Sequence, residues 1–315
     1  MRVAVTGAAG YIGGETVFKL LDLGHAVLAI DHREPRDALM ASGAEWCVAD
    51  FVTAKALSRL FHFGADAVIH CAGTSLVGPS IMDPRLYYDN NFVKTKRLCD
   101  FLVDQPRRPR VIFSSSAAVY GEPARTPCVE TDPAVPISPY GESKLMIERM
   151  LTSYGRAYGL DSVSFRYFNA CGADSQARHG QEPGATHLIA QLLEAIRDGR
   201  GFVLNGNTYP TADGTCVRDY IHVEDLADAH IRAMDSTVPA GVYNLGNTVG
   251  HSNLEVITAA VKATGKGATI FYGDRRAGDP ALLTANADRF AAVSGWQPRF
   301  TLDDTVAHAW AWYTR

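Results

Sequence analysis

What the 315-residue chain has little of narrows its function first. It has no long basic run: 30 Lys and Arg face 34 Asp and Glu, for a formal net charge of -4. Nucleic acid and anionic membrane surfaces are therefore not favoured partners. No apolar stretch approaches the ~20 residues that a bilayer-spanning helix needs. The amino terminus runs straight into an apolar strand, without the basic-then-apolar leader of a secreted protein, so cytoplasmic residence is expected. The six cysteines, Cys47, Cys71, Cys99, Cys128, Cys171 and Cys216, include no Cys-x-x-Cys pair and form no zinc-ligand pattern with histidine. Several sit inside apolar strands and read as small buried hydrophobes, so no metal is expected. Internal repeats and low-complexity tracts are absent too. What is there is ordinary globular composition, 47% hydrophobic and 20% charged, enough for one large domain or two sharing a core.

Arg2–Thr6 is a short apolar run ending in Gly7-Ala-Ala-Gly10-Tyr11-Ile12-Gly13, and a helical pattern follows through Val17, Leu20 and Leu21. This is strand, glycine turn, helix. The turn brings backbone close to a pyrophosphate, and the helix N-terminus faces the anion. A second strand, Ala26–Ile30, ends in Asp31. A carboxylate there accepts from adenosine ribose hydroxyls and repels a 2′-phosphate, so NAD is favoured over NADP. His32 and Arg33 border the same place with cations that could tolerate a phosphate.

Glu45–Ala49 reads as a third strand, leading to Asp50 and Phe51. Asp50 could accept from an adenine amino group or cap the helix predicted over Ala54–Phe61, and Phe51 could cover the ring through its backbone. A fourth strand, Ala67–His70, leads to Cys71-Ala72-Gly73, small residues that let backbone approach a ligand. His70 reads as a packed core histidine. Pro84–Val103 predicts one helix with Asn90-Asn91 in its middle, a poor helix pair of which one is expected to face inward.

Val111–Phe113 is a fifth strand, ending in Ser114-Ser115-Ser116. A proline-rich loop separates it from Ser138-Pro-Tyr-Gly-Glu-Ser-Lys144. Tyr140 and Lys144 are four residues apart and share one helix face. The ammonium is expected to pull the phenol down from about 10, giving a proton-transfer group usable near neutral pH. A sixth strand, Ser162–Arg166, ends in Tyr167-Phe168-Asn169. Ligand-type residues thus recur after six strands, as expected beyond the carboxyl ends of an open parallel sheet.

The fold expected is α/β: a Rossmann-type, doubly wound parallel sheet over residues 1–169, with 217–247 returning to it, and a smaller C-terminal α/β substrate domain over 170–315. In the latter, 172–184 reads as an irregular loop, Leu188–Ile196 as a helix and Phe202-Val203-Leu204 as a strand. Arg218 and Arg276 suggest a diphosphate clamp, since the guanidinium fork matches phosphate oxygens. Surface ion pairs with Asp219 and Asp279 are the competing reading.

The GxxGxxG spacing resembles the extended branch of the short-chain dehydrogenase/reductase superfamily. Val3–Gly13, Ser114–Gly121, Ser138–Lys144, Arg166–Asn169, Asp213–Val223 and Arg275–Asp279, in this order, resemble the UDP-glucose 4-epimerase (UDP-galactose 4-epimerase) family. The resemblance implies Tyr140 as proton shuttle, Lys144 on the nicotinamide ribose and Ser116 on the sugar O4. It implies NAD contacts from Gly7, Gly10, Tyr11, Ile12, Gly13, Asp31, His32, Asp50, Phe51, Cys71, Ala72, Gly73, Asn91, Ser114 and Tyr167. It implies UDP-sugar contacts from Asn169, His187, Leu188, Val203, Leu204, Arg218, Arg276 and Asp279. A tightly held NAD, oxidation at C4, rotation of a 4-keto sugar, re-reduction, and a homodimer through Pro84–Val103 and Tyr140–Tyr158 complete the expectation.

Three positions depart from the family: Ser75 where some members carry a lysine, His187-Leu188 where some carry Asn-Leu, and Leu283 where bulk limits the C2 substituent. A 4,6-dehydratase would need Asp-Glu after the strand-five serines, and Ala117-Ala118 stand there. Epimerisation of N-acetylhexosamine, pentose or uronic acid nucleotides, or a non-catalytic NAD-binding sensor, are the alternatives.

Overall fold

The computed structural model describes residues 1–275 and 280–315. Seven parallel strands form the main sheet in the order β10-β6-β5-β4-β1-β2-β3. They are β1 (Arg2–Thr6), β2 (Ala26–Asp31), β3 (Glu45–Val48), β4 (Ala67–His70), β5 (Arg110–Ser114), β6 (Ser162–Tyr167) and β10 (Gly241–Leu245). The order reverses between β1 and β4, which opens a crevice beyond their carboxyl ends.

The strands alternate across the sheet, and both faces are apolar because helices cover both. Val3, Val5, Val27, Ala29 and Ile69 pack with Val17, Phe18 and Leu20 of the Tyr11–Asp22 helix and with Leu226 and Ala229 of the Val223–Arg232 helix. Ala4, Leu28, Ile30, Val68 and Phe113 pack on the other side, against the helices Ala54–Phe63, Lys94–Val103 and Pro139–Tyr158. The last of these is bounded as its sequence dictates. Ser138 accepts from Gly141 N, Pro139 opens the first turn, and Gly159 closes the helix at φ +69°.

The remaining strands are β7 (Asn169–Cys171), β8 (Phe202–Asn205), β9 (Val217–His222), β11 (Gly250–Ser252), β12 (Ile270–Gly273) and β13 (Leu282–Leu283). β9 carries β7, β11 and β13, while β8 and β12 pair by themselves. Helices Leu188–Arg197, Asn253–Thr264 and Leu302–Tyr313 build a second core around Leu192, Leu193, Val256 and Trp312. Of residues 217–247, the Val223–Arg232 helix and β10 join the main layers, whereas β9 belongs to the smaller sheet.

One helix differs from expectation. Pro84–Val103 is not continuous: Pro84–Tyr87 and Lys94–Val103 are α-helical, and Tyr88–Val93 between them winds as a π-helix. The weak helix formers Asp89-Asn90-Asn91 lie in that wider turn, with both asparagines bonded inward rather than supporting a regular α-helix.

Candidate active site

At the end of β1, Gly7 has φ +71°, and a Cβ there would meet Ala72 N at 2.6 Å. A Cβ on Gly13 would meet Gly7 O at 2.1 Å. Only glycine permits the strand, turn and helix to approach this closely, and the turn's amides are thereby turned to the crevice. The buried Asp31 carboxylate closes the turn from β2, accepting from Ala9 N at 3.0 Å and Arg33 N at 2.9 Å. His32 and Arg33 are exposed beside it. Tyr11 spends its hydroxyl on Gly172 O at 2.7 Å, so the side chain anchors the 172–184 segment. His179 bonds Tyr11 O and Arg178 bridges Asp22 and Asp174, so this segment is docked on the first helix. Nothing local in the sequence signals those distant partners, so the segment's irregular backbone does not reveal its docking.

The β3 end corrects a local expectation. Thr53, not Asp50, caps the Ala54–Phe63 helix, while Asp50 pairs with Lys94 at 2.6 Å. Phe51 buries its ring edge-on to His70. His70 is a core residue, bonded to Thr6 and Thr95 and pushed down to about 3 by burial.

Cys71, Ala72 and Gly73 follow at the centre of the crevice. Gly73 lies between Asn91 and Lys144: a Cβ on it would stand 3.0 Å from Asn91 Oδ1 and 3.6 Å from Lys144 Nζ. Buried Asn91 accepts from Thr74 N at 2.7 Å and donates to Thr74 O and Ser143 Oγ.

Tyr140 and Lys144 come together with the β5 serines. Ser116 lies beside the Tyr140 phenol, and Lys144 Nζ donates to Ser114 O at 2.8 Å. The expected downward shift of Tyr140 is not found. Burial raises the phenol above its ordinary value, with Ser116 pulling against it. Lys144 points at Ser114 O and over the Phe113 ring, 4.8 Å away, rather than at the phenol oxygen. Burial lowers Lys144 to about 8. Tyr167, at the β6 end, flanks Tyr140, Cys71 and Ser114, and burial raises its phenol well above the ordinary value.

Three comparisons with known proteins now bear on this arrangement. Residues 3–246 match the NAD dependent epimerase/dehydratase family. A UDP-glucose 4-epimerase of Halalkalibacterium halodurans is 40% identical over 99% of this chain and 96% of its own. The crystal structure of UDP-glucose 4-epimerase from Brucella ovis in complex with NAD superposes with a TM-score of 0.93 at 36% identity, covering 98% of this chain and 97% of that one. That from Bifidobacterium longum, in complex with NAD+ and UDP, gives 0.91 at 35%, covering 100% and 98%. The chain belongs to the NAD dependent epimerase/dehydratase family.

In this epimerase-family chain the residues expected to meet the UDP-sugar are spread over the smaller sheets and the start of the Leu188–Arg197 helix. Asn169 pairs with Tyr220 across β7 and β9, and Arg218 lies two residues earlier on β9, with Leu283 of β13 directly opposite it. Arg218 and Asp219 are both buried. Asp219 accepts from Asn247 N, Thr248 N and Ala285 N, and burial still lifts it to about 6. His187 is exposed at the start of the Leu188–Arg197 helix, beside Gln181, and Leu188 leans on the second core. Val203 is exposed, but Leu204 turns into the second core, so its side chain is not offered to a ligand. Alternation along β8 decides this, because neighbouring side chains face opposite ways. Arg276 and Asp279 lie outside the described residues.

A dinucleotide fits these residues on structural grounds. The glycine turn leaves no room for side chains, a carboxylate stands at the β2 end, and the buried Lys144 ammonium lies across the crevice.

Proposed function

We propose that this protein interconverts UDP-glucose and UDP-galactose by epimerisation at C4, with NAD as its bound cofactor. The observation that carries the proposal is the convergence of Ser116, Tyr140 and Lys144 beside a glycine cradle closed by Asp31. The relatives of matching length bear that activity in their names.

Gly7, Gly10, Tyr11, Ile12 and Gly13 hold the pyrophosphate through backbone. Asp31 and His32 flank the adenosine ribose, and Asp50 and Phe51 the adenine. Cys71, Ala72, Gly73, Asn91, Ser114 and Tyr167 shape the nicotinamide end, and Lys144 donates to its ribose. On the substrate side Ser116 and Asn169 orient the sugar, while His187, Leu188, Val203, backbone of Leu204, Arg218, Arg276 and Asp279 hold the nucleotide. Residues 1–169 with 217–247 serve the cofactor, and 170–315 serve the nucleotide sugar.

NAD, when bound, supplies the hydride acceptor and donor for C4. Tyr140 is a phenol in the cofactor-free protein; once ionised beside the positive charges of Lys144 and bound NAD, it takes the C4 hydroxyl proton while Ser116 donates to O4. Lys144, as ammonium, stabilises the phenolate electrostatically, a preorganised contribution that costs no reorganisation during reaction. The 4-keto sugar turns about its pyrophosphate link, and Tyr140 returns the proton on the opposite face.

A homodimer in the cytoplasm completes the proposal. Exposed Val77, Ile81, Met82 and Leu86 form an apolar surface on the segment 77–87, packed beside the Pro139–Tyr158 helix. No helix among the described residues is long and apolar enough to cross a membrane.

The deciding experiment is a coupled assay of purified protein with UDP-galactose and trace NAD, read as UDP-glucose formed. Conversion establishes the activity. Its absence with UDP-galactose, and with N-acetyl, pentose and uronic sugar nucleotides, would leave a non-catalytic NAD-binding protein.

A further inference from the structure

Tyr140, Lys144 and Glu148 follow one another at four-residue intervals along a single helix, so they form one stripe. The stripe faces the end of β5, and each member engages one of three consecutive serines. Ser116 lies beside the Tyr140 phenol, Ser114 O accepts from Lys144, and Ser115 Oγ donates to Glu148 Oε1. Glu148 is 3% exposed. Arg166 of β6, itself buried, grips it in a bidentate pair, with Nε 3.0 Å from Oε1 and Nη2 2.7 Å from Oε2. Arg166 is fixed in turn by the Tyr120 ring, 4.8 Å from its guanidinium carbon, and Tyr120 donates to Asn244 Oδ1 at 2.7 Å.

The charges around Lys144 give this stripe a consequence. Its own helix presents Tyr140 and Glu148; β4 and the residue after it present His70 and Cys71; the π-helix presents neutral Asn91. At neutral pH burial keeps His70 unprotonated, at about 3, and the Cys71 thiol intact, at about 11. Tyr140 is a neutral phenol. Glu148 is therefore the anion among the groups facing Lys144, with Arg166 lying behind it.

We propose that Glu148, held by Ser115 and Arg166, is a positioning residue of this active site: it locks the Tyr140–Lys144 helix in register on the β5 serines and supplies the negative charge that keeps Lys144 protonated. The functional consequence rests on the epimerase reading. The charge effect on Lys144 does not.

The test is Glu148→Gln, which keeps shape and hydrogen-bonding capacity but removes the charge. In the cofactor-free protein, the Lys144 ammonium titration is followed by NMR of labelled lysine side chains, assigned by its loss in Lys144→Met. The Lys144 midpoint should fall by about one pH unit or more in Glu148→Gln. In the coupled assay the alkaline limb of kcat should move down with it, giving roughly tenfold loss at pH 8 and a much smaller loss at pH 6.5. Ser115→Ala, which loosens register and keeps the charge, should lower kcat at every pH without moving the limb. If Glu148→Gln fails to fold, the double variant Glu148→Gln/Arg166→Met, which leaves no unpaired charge, should still lower the midpoint.

An unmoved Lys144 midpoint in the folded variant overturns the proposal. A lowered midpoint in a parent protein that converts no sugar nucleotide would refute the epimerase reading and leave the charge effect standing.

Discussion

The Lys144 ammonium stands 2.8 Å from Ser114 O and 5.8 Å from the ring centroid of Tyr140, one turn earlier on the same helix. The pair shares a face, yet the lysine is tethered to the strand end and burial dominates the phenol. In cofactor-free protein, Tyr140 should therefore ionise above its ordinary value of about 10. The check is an alkaline ultraviolet titration of the parent minus that of Tyr140→Phe. A difference step near neutral pH would show that the ammonium outweighs burial after all.

In the proposed mechanism, removing the phenolic oxygen removes the group that moves the C4 proton. Tyr140→Phe should lower kcat by about 10²–10⁴-fold, the usual worth of a positioned acid or base. NAD should still bind, because the glycine turn and Asp31 are untouched. Ser116→Ala should lose less, since it removes one hydrogen bond to the sugar and one to the phenol. Steady-state kinetics beside NAD binding by calorimetry separates the two effects. Equal activity of Tyr140→Phe and parent would remove Tyr140 from the shuttle role.

The six strand ends could be read from sequence because each joins a short apolar run to residues with no packing reason to be there, such as Gly7, Asp31 and Ser116. Period-two alternation was weak, since both sheet faces are covered. The π-helix at Tyr88–Val93 could not be read, because the partners that turn Asn91 inward, Thr74 and Ser143, are 17 and 52 residues away. The Glu148–Arg166 pair was equally silent, as a charged residue on an amphipathic helix usually reads as solvated. The direction of the Tyr140 shift was missed for a related reason: spacing gives the distance to Lys144 but not the burial around the phenol. That Leu204 turns inward while Val203 is exposed could not be read either, because a three-residue apolar run does not reveal which side of the strand is wet.

Asn91 satisfies both the amide and the carbonyl of Thr74 and the hydroxyl of Ser143 from a buried position. Asn91→Leu strands those groups, so it should cost about 1–3 kcal/mol of stability. It should also weaken NAD binding, because Gly73 loses its support beside Lys144. Urea unfolding monitored by fluorescence reads the first effect and calorimetry the second. A variant as stable as the parent would show that the 73–74 segment holds itself.

The two glycine environments differ enough to predict opposite outcomes. Gly13→Ala would drive a methyl to 2.1 Å from Gly7 O, which backbone cannot yield without opening the turn. It should abolish measurable NAD binding. Gly155→Ala, in the last turn of the Pro139–Tyr158 helix, meets only Leu160 O at 3.4 Å, which is ordinary contact. It should stabilise the protein by roughly 0.5–1 kcal/mol through helix propensity. Calorimetric binding and thermal unfolding of both variants check the pair. Unimpaired NAD binding by Gly13→Ala would place the dinucleotide elsewhere.

Buried histidines set the acid limit of the fold. Burial lowers His70 and His222 to about 3, and His179 and His230 to about 4, against about 6.5 in an unfolded chain. As pH falls through 6.5, the unfolded chain takes up protons that the folded chain refuses, so stability is lost as pH falls. Each such proton contributes a slope of about 1.4 kcal/mol per pH unit. Three carboxyls act the other way: burial raises Asp219 to about 6, and Glu15 and Asp225 above their usual range, so the folded state gains protons there first. Burial lowers His25 and His187 as well, so six histidines stand against three carboxyls and the balance is a net loss. Urea unfolding should therefore give lower stability at pH 5.5 than at pH 7, before ordinary carboxylates begin to titrate. Equal or greater stability at pH 5.5 would mean that the histidines are charged, or more open to water, in the folded protein.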